Sequence, residues 1–315
     1  MKDDASITLG VPTTTLARKS WRVKLAAWLG SVTPYAFLLP AFAFILLFTY
    51  FPLVRSLELS LFEWNAARPV RVFVGLANYQ QLLRTPLFWQ VLRNTFIFVV
   101  GTLIPTVTLA LGLALLIDRP LRGMGVYRFA LFYPVILPTA AAAMIWISIL
   151  SPSFGLANIV LRGLGLSTFE WLGDRRLALA SLIVITIWKT TGFFMVIFLA
   201  GLQNIASELF EACTIEGASA WQRFRYVTFP LLGPTTFFVV LTGVLTTFQS
   251  IDLIYILTDA GPADETNVIV YYIYQYAFRF WDIGVGSALT SILFFFLLLV
   301  IVFGVVRLQR KVFYE

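Results

Sequence analysis

The chain has 315 residues, of which 59% are hydrophobic and 12% are charged, and its mean hydropathy is +0.86. This composition excludes an ordinary water-soluble domain and predicts a membrane protein. The net charge of +7 comes from Lys and Arg scattered along the chain, so it does not indicate binding to nucleic acid. With no His and one Cys, Cys213, the chain also lacks histidine metal sites, histidine-based triads and an internal disulfide.

Six apolar runs are long enough to cross a hydrocarbon core of roughly 30 Å as helices. The predicted fold is therefore an all-α membrane protein with six transmembrane helices, Pro34 to Val54, Asn94 to Ile117, Val126 to Leu150, Ala178 to Gly201, Thr235 to Leu257 and Ile283 to Val306. Prolines inside these runs, such as Pro134 and Pro138, favour kinked helices. Residues 34–306 would form the transmembrane domain, between an N-terminal segment with an interfacial helix, residues 1–33, and a tail, residues 307–315.

The distribution of basic residues predicts that both termini are cytoplasmic. Of the 23 Lys and Arg, 13 then lie on the cytoplasmic side and nine on the outer side, the bias that the positive-inside rule expects. The outer connections, residues 55–93, 151–177 and 258–282, contain "ANYQQLL" and "ANIVLRGL", which predict short helices. These connections either dock a partner or only cap the bundle.

A polar insert, "ELFEACTIEGASAWQRFRYVTFPLLGPT", separates the fourth and fifth spans. A helix over Ile205 to Glu216 directs the carboxylates of Glu208 and Glu211 to one side. Its apolar side would contain Ile205, Leu209, Ala212 and Cys213. Paired carboxylates without a pocket or a metal partner have no evident chemistry, so this surface favours docking over catalysis.

Local signals predict a turn and a second helix in this insert. Gly217 can adopt the left-handed conformation that ends helices. Ser219 and Gln222 have the spacing of a capping box, which begins a helix at Ala220. Pro230 would interrupt that helix before the fifth span. The predicted motif is helix, tight turn, helix on the cytoplasmic side.

The segment "EACTIEGASAWQRFRYVTFP" resembles the cytoplasmic coupling motif of ATP-binding-cassette importer permeases. Glu211, Ala212, Gly217 and Pro230 match the motif in identity and spacing. The departures are Cys213, Glu216, Val227 and Phe229. Together with "FVGLANY", "DRPLRG", "WKTTGFFMVIFLAGLQ" and "LTDAGP", the motif is most similar to the maltose and glycerol-3-phosphate type of carbohydrate permease.

The resemblance implies a non-catalytic transport subunit of the bacterial cytoplasmic (inner) membrane, carrying an oligosaccharide, a polyol or a glycerol phosphate by alternating access. It implies a second homologous permease, a cytoplasmic ATPase dimer that binds ATP and Mg, and an extracytoplasmic solute-binding protein as partners. No cofactor is expected in this chain itself. The residues expected to couple to the ATPase are Glu208, Glu211, Ala212, Gly217, Arg223 and Pro230.

Polar residues inside the spans are candidates for a solute path. Lys189, near the middle of the fourth span, costs about 2.5 to 3.5 kcal/mol on insertion scales, so it either lines a path or gate, pairs with a carbonyl or extends to the interface. The fifth span carries Gln249, Ser250, Asp252 and Tyr255, which either bind solute hydroxyls or join helices.

A pair between Lys189 and Asp252 would instead fit a stand-alone, ion-coupled secondary transporter of a polar solute, which is the alternative function. A membrane enzyme acting on lipid headgroups is a third hypothesis. On the outer side, Arg175 and Arg279 either tolerate an anionic solute or are ordinary surface charges.

Overall fold

The computed structural model describes residues 35, 37–67, 70–118 and 123–308. The chain divides into two compact units, residues 1–56 and 57–315. The predicted N-terminal segment, residues 1–33, and nearly all of the predicted tail lie outside the described residues. Helix α1, Phe37–Leu59, provides the first span and includes a π-helical turn at Leu46–Tyr50. It continues past the predicted end at Val54.

The second unit contains one small antiparallel hairpin, β1 (Phe62–Glu63) with β2 (Val72–Phe73), in which Phe62 faces Phe73. All its other regular elements among the described residues are helical. They are α2 (Ala77–Arg84), α3 (Pro86–Ile117), α4 (Met124–Ile136), α5 (Thr139–Ile149), α6 (Leu156–Gly163), α7 (Ala178–Gln203), α8 (Ser207–Ile215), α9 (Ala220–Arg223), α10 (Phe229–Leu231), α11 (Gly233–Phe248), α12 (Ile251–Leu257), α13 (Ile269–Tyr274) and α14 (Ile283–Leu308), with π-helical turns at Phe224–Thr228 and Gln275–Arg279. The predicted loop helices at "ANYQQLL" and "ANIVLRGL" are confirmed as α2 and α6.

Five helical segments of the described chain are long and apolar enough to cross a membrane, namely α1, α3, α7, α11 with α12, and α14. Helices α4 and α5 meet this test only together, and they are bent by 99°. The predicted span Val126 to Leu150 is thus not a kinked continuous helix, and it is a sixth span only if the bent pair crosses as one. The break has a local cause, because Pro138 disfavours helix at Leu137, whose ψ is 131°.

Two further boundaries differ from the prediction. The second span begins at Pro86 rather than Asn94, because proline fits the first turn of a helix and the apolar pattern then starts earlier. The fifth span is divided into α11 and α12 by Gln249 and Ser250. The fourth and sixth spans, α7 and α14, agree with the prediction within two residues of each predicted end.

The second unit has two distinct ends. Asn94, near the start of α3, donates to the carbonyls of Asp264 and Asn267, at 2.8 and 3.2 Å. The Ile283 amide at the start of α14 donates to the Trp64 carbonyl. The hairpin, the segment 258–268 and the starts of α3 and α14 therefore lie together, at what we call the loop end. The segment 204–232 follows the end of α7, at the opposite or insert end.

Helices α3 and α7 pack against each other along their length and form the centre of the second unit. Toward the loop end, Phe98 of α3 packs with Leu182 and Ile185 of α7. Toward the insert end, Ala110 and Ala114 are fully buried beside Phe198. Small side chains let the backbones approach closely, which is how transmembrane helices commonly associate.

Candidate functional site

The predicted turn in the insert is a Schellman motif. Helix α8 ends at Ile215, and Gly217 follows with φ of +70°. The Ala218 amide donates to the Cys213 carbonyl at 2.9 Å, and the Gly217 amide donates to the Thr214 carbonyl at 3.1 Å. These two bonds satisfy carbonyls that the end of the helix would otherwise leave unpaired. Gly217 therefore ends the helix in the left-handed conformation, as predicted from the sequence.

The predicted capping box is also present. The Gln222 amide donates to the Ser219 hydroxyl at 3.3 Å, and the Ser219 amide donates to the Gln222 side-chain oxygen at 2.8 Å. Helix α9 begins at Ala220, as predicted, and runs into a π-helical turn at Phe224–Thr228. We call the segment 207–231 the elbow.

The prediction that Pro230 interrupts the second helix is wrong, because helical backbone continues through α10 to Leu231. The π-helical turn directly before α10 explains this result. In that turn the Phe229 amide donates to the Phe224 carbonyl, five residues back. Pro230 then stands in the first turn of α10, where a missing amide proton is tolerated.

Nearly the whole elbow is exposed, and α8 contains no buried residue. The carboxylates of Glu208 and Glu211 are exposed, as expected for a docking surface. Two large apolar side chains are exposed beside them, Ile215 at 87% and Trp221 at 69%. The elbow thus presents acidic and apolar groups together, which is typical of a surface that a partner covers.

The predicted apolar side of α8 is wrong in part. Leu209 and Ala212 are exposed, whereas Phe210 and Cys213 are half-buried. The helix begins at Ser207, so Ile205 lies before it and does not belong to its periodic pattern. The side of α8 that faces the rest of the unit is instead formed by Phe210 and Cys213, which are three positions apart.

A cleft of about 570 Å³ lies between the elbow and the ends of α3 and α7. Its lining includes Asp118, Phe210 and Arg223. The Arg223 guanidinium lies 5.9 Å from the centre of the Phe210 ring, within the range of a cation–π contact. All six predicted coupling residues lie in this one segment at the insert end, and Arg223 is the one that also lines the cleft.

Lys189 pairs with a carbonyl, which is one of the alternatives drawn from the sequence. Its Nζ donates to the Leu137 carbonyl at 2.8 Å, at the break between α4 and α5. Lys189 also lines a cavity of about 270 Å³ with Thr190, Phe193 and Thr246 among its neighbours. Lys189 and Asp252 both lie within the described residues, and they form no ion pair with each other. The structure thus places Lys189 at the bend and beside a cavity.

The break between α4 and α5 is held by close packing as well. A side chain at Gly192 would overlap the Leu131 carbonyl oxygen, so α4 contacts α7 backbone to backbone at this point. Trp146 of α5 meets Trp188 of α7 edge to face, with ring centres 5.6 Å apart. Helix α7 therefore supports both arms of the bent pair.

The polar patch of the fifth span is divided by the break between α11 and α12. The Ser250 hydroxyl donates to the Thr246 carbonyl at 3.1 Å, so it is used within the break. Gln249, Asp252 and Tyr255 follow at three-residue steps and are all exposed. An exposed carboxylate inside a span is too costly to face hydrocarbon, so this stripe faces water or another protein.

At the loop end, an arginine, an aspartate and three tyrosines that are distant in sequence form one cluster. Arg279 donates to both carboxylate oxygens of Asp259, at 2.6 and 3.1 Å, and the Tyr271 hydroxyl donates to the same carboxylate. The centres of the Tyr255, Tyr271 and Tyr274 rings lie 5.7 to 5.8 Å from the Arg279 guanidinium carbon. Arg279 is thus not a free surface charge. The sequence singled out Tyr255 and Arg279 separately and marked a turn at "LTDAGP", but no local pattern joined them to Asp259.

Comparisons with known proteins agree with this architecture. The chain is 34% identical to the trehalose/maltose transport system permease protein MalF of Thermococcus litoralis, over 87% of this chain and 92% of that protein. It is 35% identical to the lactose transport system permease protein LacF of Rhizobium radiobacter, over 79% of this chain and 84% of that protein. Similarity also extends to the sulfoquinovosyl glycerol transport system permease protein SmoG of Agrobacterium fabrum, at 32% identity over 82% of this chain and 84% of that protein.

A solved structure shares the fold. It is that of a bacterial ABC transporter involved in the import of the acidic polysaccharide alginate, with a TM-score of 0.79 and 22% identity over 93% of this chain and 99% of that chain. Residues 6–313 match the family described as binding-protein-dependent transport system inner membrane component. The chain therefore belongs to the family of inner membrane components of binding-protein-dependent transport systems, and it is an ABC transporter permease.

Proposed function

We propose that this chain is the permease subunit of an ATP-driven importer that carries a sugar or a sugar-like solute across the bacterial cytoplasmic membrane. The observation that carries the proposal is the exposed elbow at the end opposite the long loops, in a chain of the permease family. The names of its relatives support the solute class, because they include permeases for trehalose and maltose and for lactose.

The insert end is cytoplasmic and the loop end faces outward in this proposal, with six spans and both termini inside. The bias of Lys and Arg toward the insert side supports this orientation. The elbow itself carries Arg223 and Arg225. The long connections at the opposite end then receive the extracytoplasmic solute-binding protein.

The elbow couples a separate cytoplasmic ATPase dimer, which binds ATP and Mg, to the spans. Its acidic pair, Glu208 and Glu211, contacts that ATPase, while Ala212, Gly217 and Pro230 shape the segment. The Schellman motif and the capping box fix the angle of the turn, so a push on the elbow moves it as one piece. Rigid segments of this kind transmit domain movements.

The elbow is joined at both sides to helices that line the cavity beside Lys189. Helix α7 ends shortly before it and carries Lys189, Thr190 and Phe193, whereas α11 begins directly after it and carries Thr246. A side chain at Gly201 would overlap Thr235, so the adjoining ends of α7 and α11 are in close contact. Movement of the elbow then changes the cavity between these helices.

The solute path in this proposal includes Lys189, Gln249, Ser250, Asp252 and Tyr255. A second, homologous permease forms the other wall, since alternating access requires two halves that move against each other. The exposed stripe of α12 supports this assignment, because its polar side chains need water or protein in front of them.

An ion-coupled secondary transporter is the alternative, and it requires coupling groups that exchange partners inside the membrane. Its candidate pair was Lys189 with Asp252. The bond from Lys189 to the Leu137 carbonyl gives the ammonium group a structural partner instead. ATP-driven import therefore has the stronger support.

The test is the replacement Glu211→Ala, with Glu170→Ala as the matched control. Both residues are exposed glutamates, but Glu170 lies at the loop end. The complex is purified with its ATPase and reconstituted in proteoliposomes with the binding protein and labelled sugar. We expect both ATP-dependent uptake and binding of the ATPase to fall at least fivefold for Glu211→Ala, whereas Glu170→Ala should leave binding of the ATPase unchanged. Uptake without ATP, or an equal effect of both changes on ATPase binding, contradicts the proposal.

A further inference from the structure

The Arg279 cluster, Asp259, Tyr255, Tyr271, Tyr274 and Arg279, has features of a ligand site. Asp259 accepts three hydrogen bonds, two from Arg279 and one from Tyr271. The ion pair stays accessible to solvent, with 36% of the Arg279 side chain and 55% of the Asp259 side chain exposed. An ion pair that is balanced in charge and accessible to solvent still offers hydrogen-bonding groups, but it carries no net charge.

Aromatic faces surround this pair. Tyr271 is fully buried and donates to the Asp259 carboxylate from the interior of the protein, whereas Tyr255 is 47% exposed. The rings of Tyr274 and Phe278 are stacked, with centres 5.6 Å apart, and Phe278 is also exposed. The accessible part of the cluster is therefore an aromatic surface with one neutral, polar pair beside it.

The position of the cluster connects it to the proposed path. Tyr255 is the last residue of the exposed stripe that begins with Gln249 and continues through Asp252. The stripe runs along α12 toward the loop end, where Asp259 follows. Because the stripe does not face lipid, the cluster stands where a water-filled path would open.

The chemistry of the cluster selects one class of ligand. A sugar ring presents an apolar C–H face, which packs on aromatic rings, and hydroxyl groups, which bond to a carboxylate and a guanidinium. An acidic sugar would need an uncompensated cation, but Asp259 already neutralises Arg279. We propose that the Arg279 cluster binds an uncharged sugar ring at the outer mouth of the path and disfavours acidic sugars. This inference rests on the proposed function, since it assumes that sugars pass here.

The protonation states favour a stable ion pair. The hydrogen bonds from Arg279 and Tyr271 hold the pKa of the Asp259 carboxyl below its usual range. A lowered pKa keeps Asp259 ionised as pH falls, until the pH approaches that lowered value. Burial, followed by the bond to Asp259, raises the pKa of the Tyr271 phenol, so this hydroxyl remains a donor. The preference for uncharged sugars is therefore expected to be constant between about pH 5 and pH 8.

The experiment uses the complete permease and ATPase complex in nanodiscs and saturation-transfer difference NMR. The neutral probes are maltose, trehalose and lactose, and the acidic probe is digalacturonate. We expect transfer to the ring C–H protons of at least one neutral sugar and none to digalacturonate. Tyr255→Ala should reduce the neutral signal at least fivefold, whereas Tyr255→Phe should retain it.

Asp259→Asn tests the charge argument directly. It leaves Arg279 uncompensated, so binding of digalacturonate should appear and the ratio of neutral to acidic signal should fall at least fivefold. Glu265→Gln is the matched control, because it removes the carboxylate of another ion pair at the same end, with Arg93 at 3.1 Å. We expect the ratio to stay unchanged for Glu265→Gln.

The results separate this inference from the proposed function. If the complex binds its ATPase and Glu211→Ala uncouples it, but Tyr255→Ala or Asp259→Asn has no effect, the inference alone is wrong. Absence of signal from all three neutral probes, or equal binding of digalacturonate by the unaltered complex, also overturns it. Failure of the chain to engage an ATPase would refute the proposed function instead.

Discussion

Gly217 is the residue whose replacement most sharply tests the role of the elbow. Its φ of +70° costs a residue with a Cβ about 1 to 2 kcal/mol, and a Cβ at this position would contact nothing within 4 Å. The effect of Gly217→Ala is therefore purely conformational. Because α8 has no buried residue, little else holds the elbow in its folded form.

The expected consequence is a weaker complex with the ATPase. A cost of about 1 to 2 kcal/mol changes an equilibrium about fivefold to thirtyfold. If only the folded elbow binds, the apparent dissociation constant rises as the folded fraction falls. We expect Gly217→Ala to weaken ATPase binding by up to this factor, measured by titrating labelled ATPase onto permease in nanodiscs. Gly217→Asn should restore much of the affinity, because asparagine tolerates the left-handed conformation.

Gly165 provides a matched control for Gly217, because it has a similar backbone conformation at the opposite end of the unit. It follows α6 with φ of +72°, and the bonds from Gly165 to Arg162 and from Leu166 to Leu161 repeat the same turn. A Cβ at Gly165 would also contact nothing within 4 Å, but the turn lies at the loop end. Gly165→Ala should leave ATPase binding unchanged. Full affinity of Gly217→Ala, or an equal loss in both variants, would refute the reasoning.

Two further predictions concern side chains that donate hydrogen bonds to backbone carbonyls in distant segments. Lys189→Met removes the donor to the Leu137 carbonyl, so ATP-dependent uptake in proteoliposomes should fall severalfold, whereas Lys189→Arg should retain activity. Equal uptake by the two variants would show that this hydrogen bond does not position the bend between α4 and α5. Asn94→Leu removes the donor to the carbonyls of Asp264 and Asn267, at a cost of about 1 to 3 kcal/mol, so amide hydrogen exchange in residues 258–268 should accelerate. Unchanged exchange would show that Asn94 does not anchor this loop.

Features coded by neighbouring residues were predictable from the sequence. Long apolar runs located the spans, because a helix of fixed rise must cover a fixed hydrocarbon thickness. Gly217 and the pair of Ser219 with Gln222 located the turn of the elbow, because both signals act within one helical turn. The same local logic correctly placed α2 and α6.

Features formed by distant residues were not predictable. Pro138 indicated a kink, but the 99° angle depends on the packing of α4 against α7 and of α5 against α12. Lys189 and Leu137 are 52 positions apart, so no local pattern joins them. Arg279 meets Asp259 only because the intervening loop folds back, with Asp259 itself at positive φ. Such contacts depend on tertiary structure rather than on spacing.

The central claim is that the elbow faces the cytoplasm and docks on an ATPase, and cysteine accessibility tests it most directly. In a Cys213→Ala background, single cysteines replace Ile215 on the elbow and Phe278 at the loop end, both of which are highly exposed. An impermeant maleimide added to intact spheroplasts should label Phe278→Cys only. In inverted vesicles it should label Ile215→Cys, and added ATPase should protect that cysteine. Labelling of Ile215→Cys from outside, or no protection by the ATPase, would contradict the account.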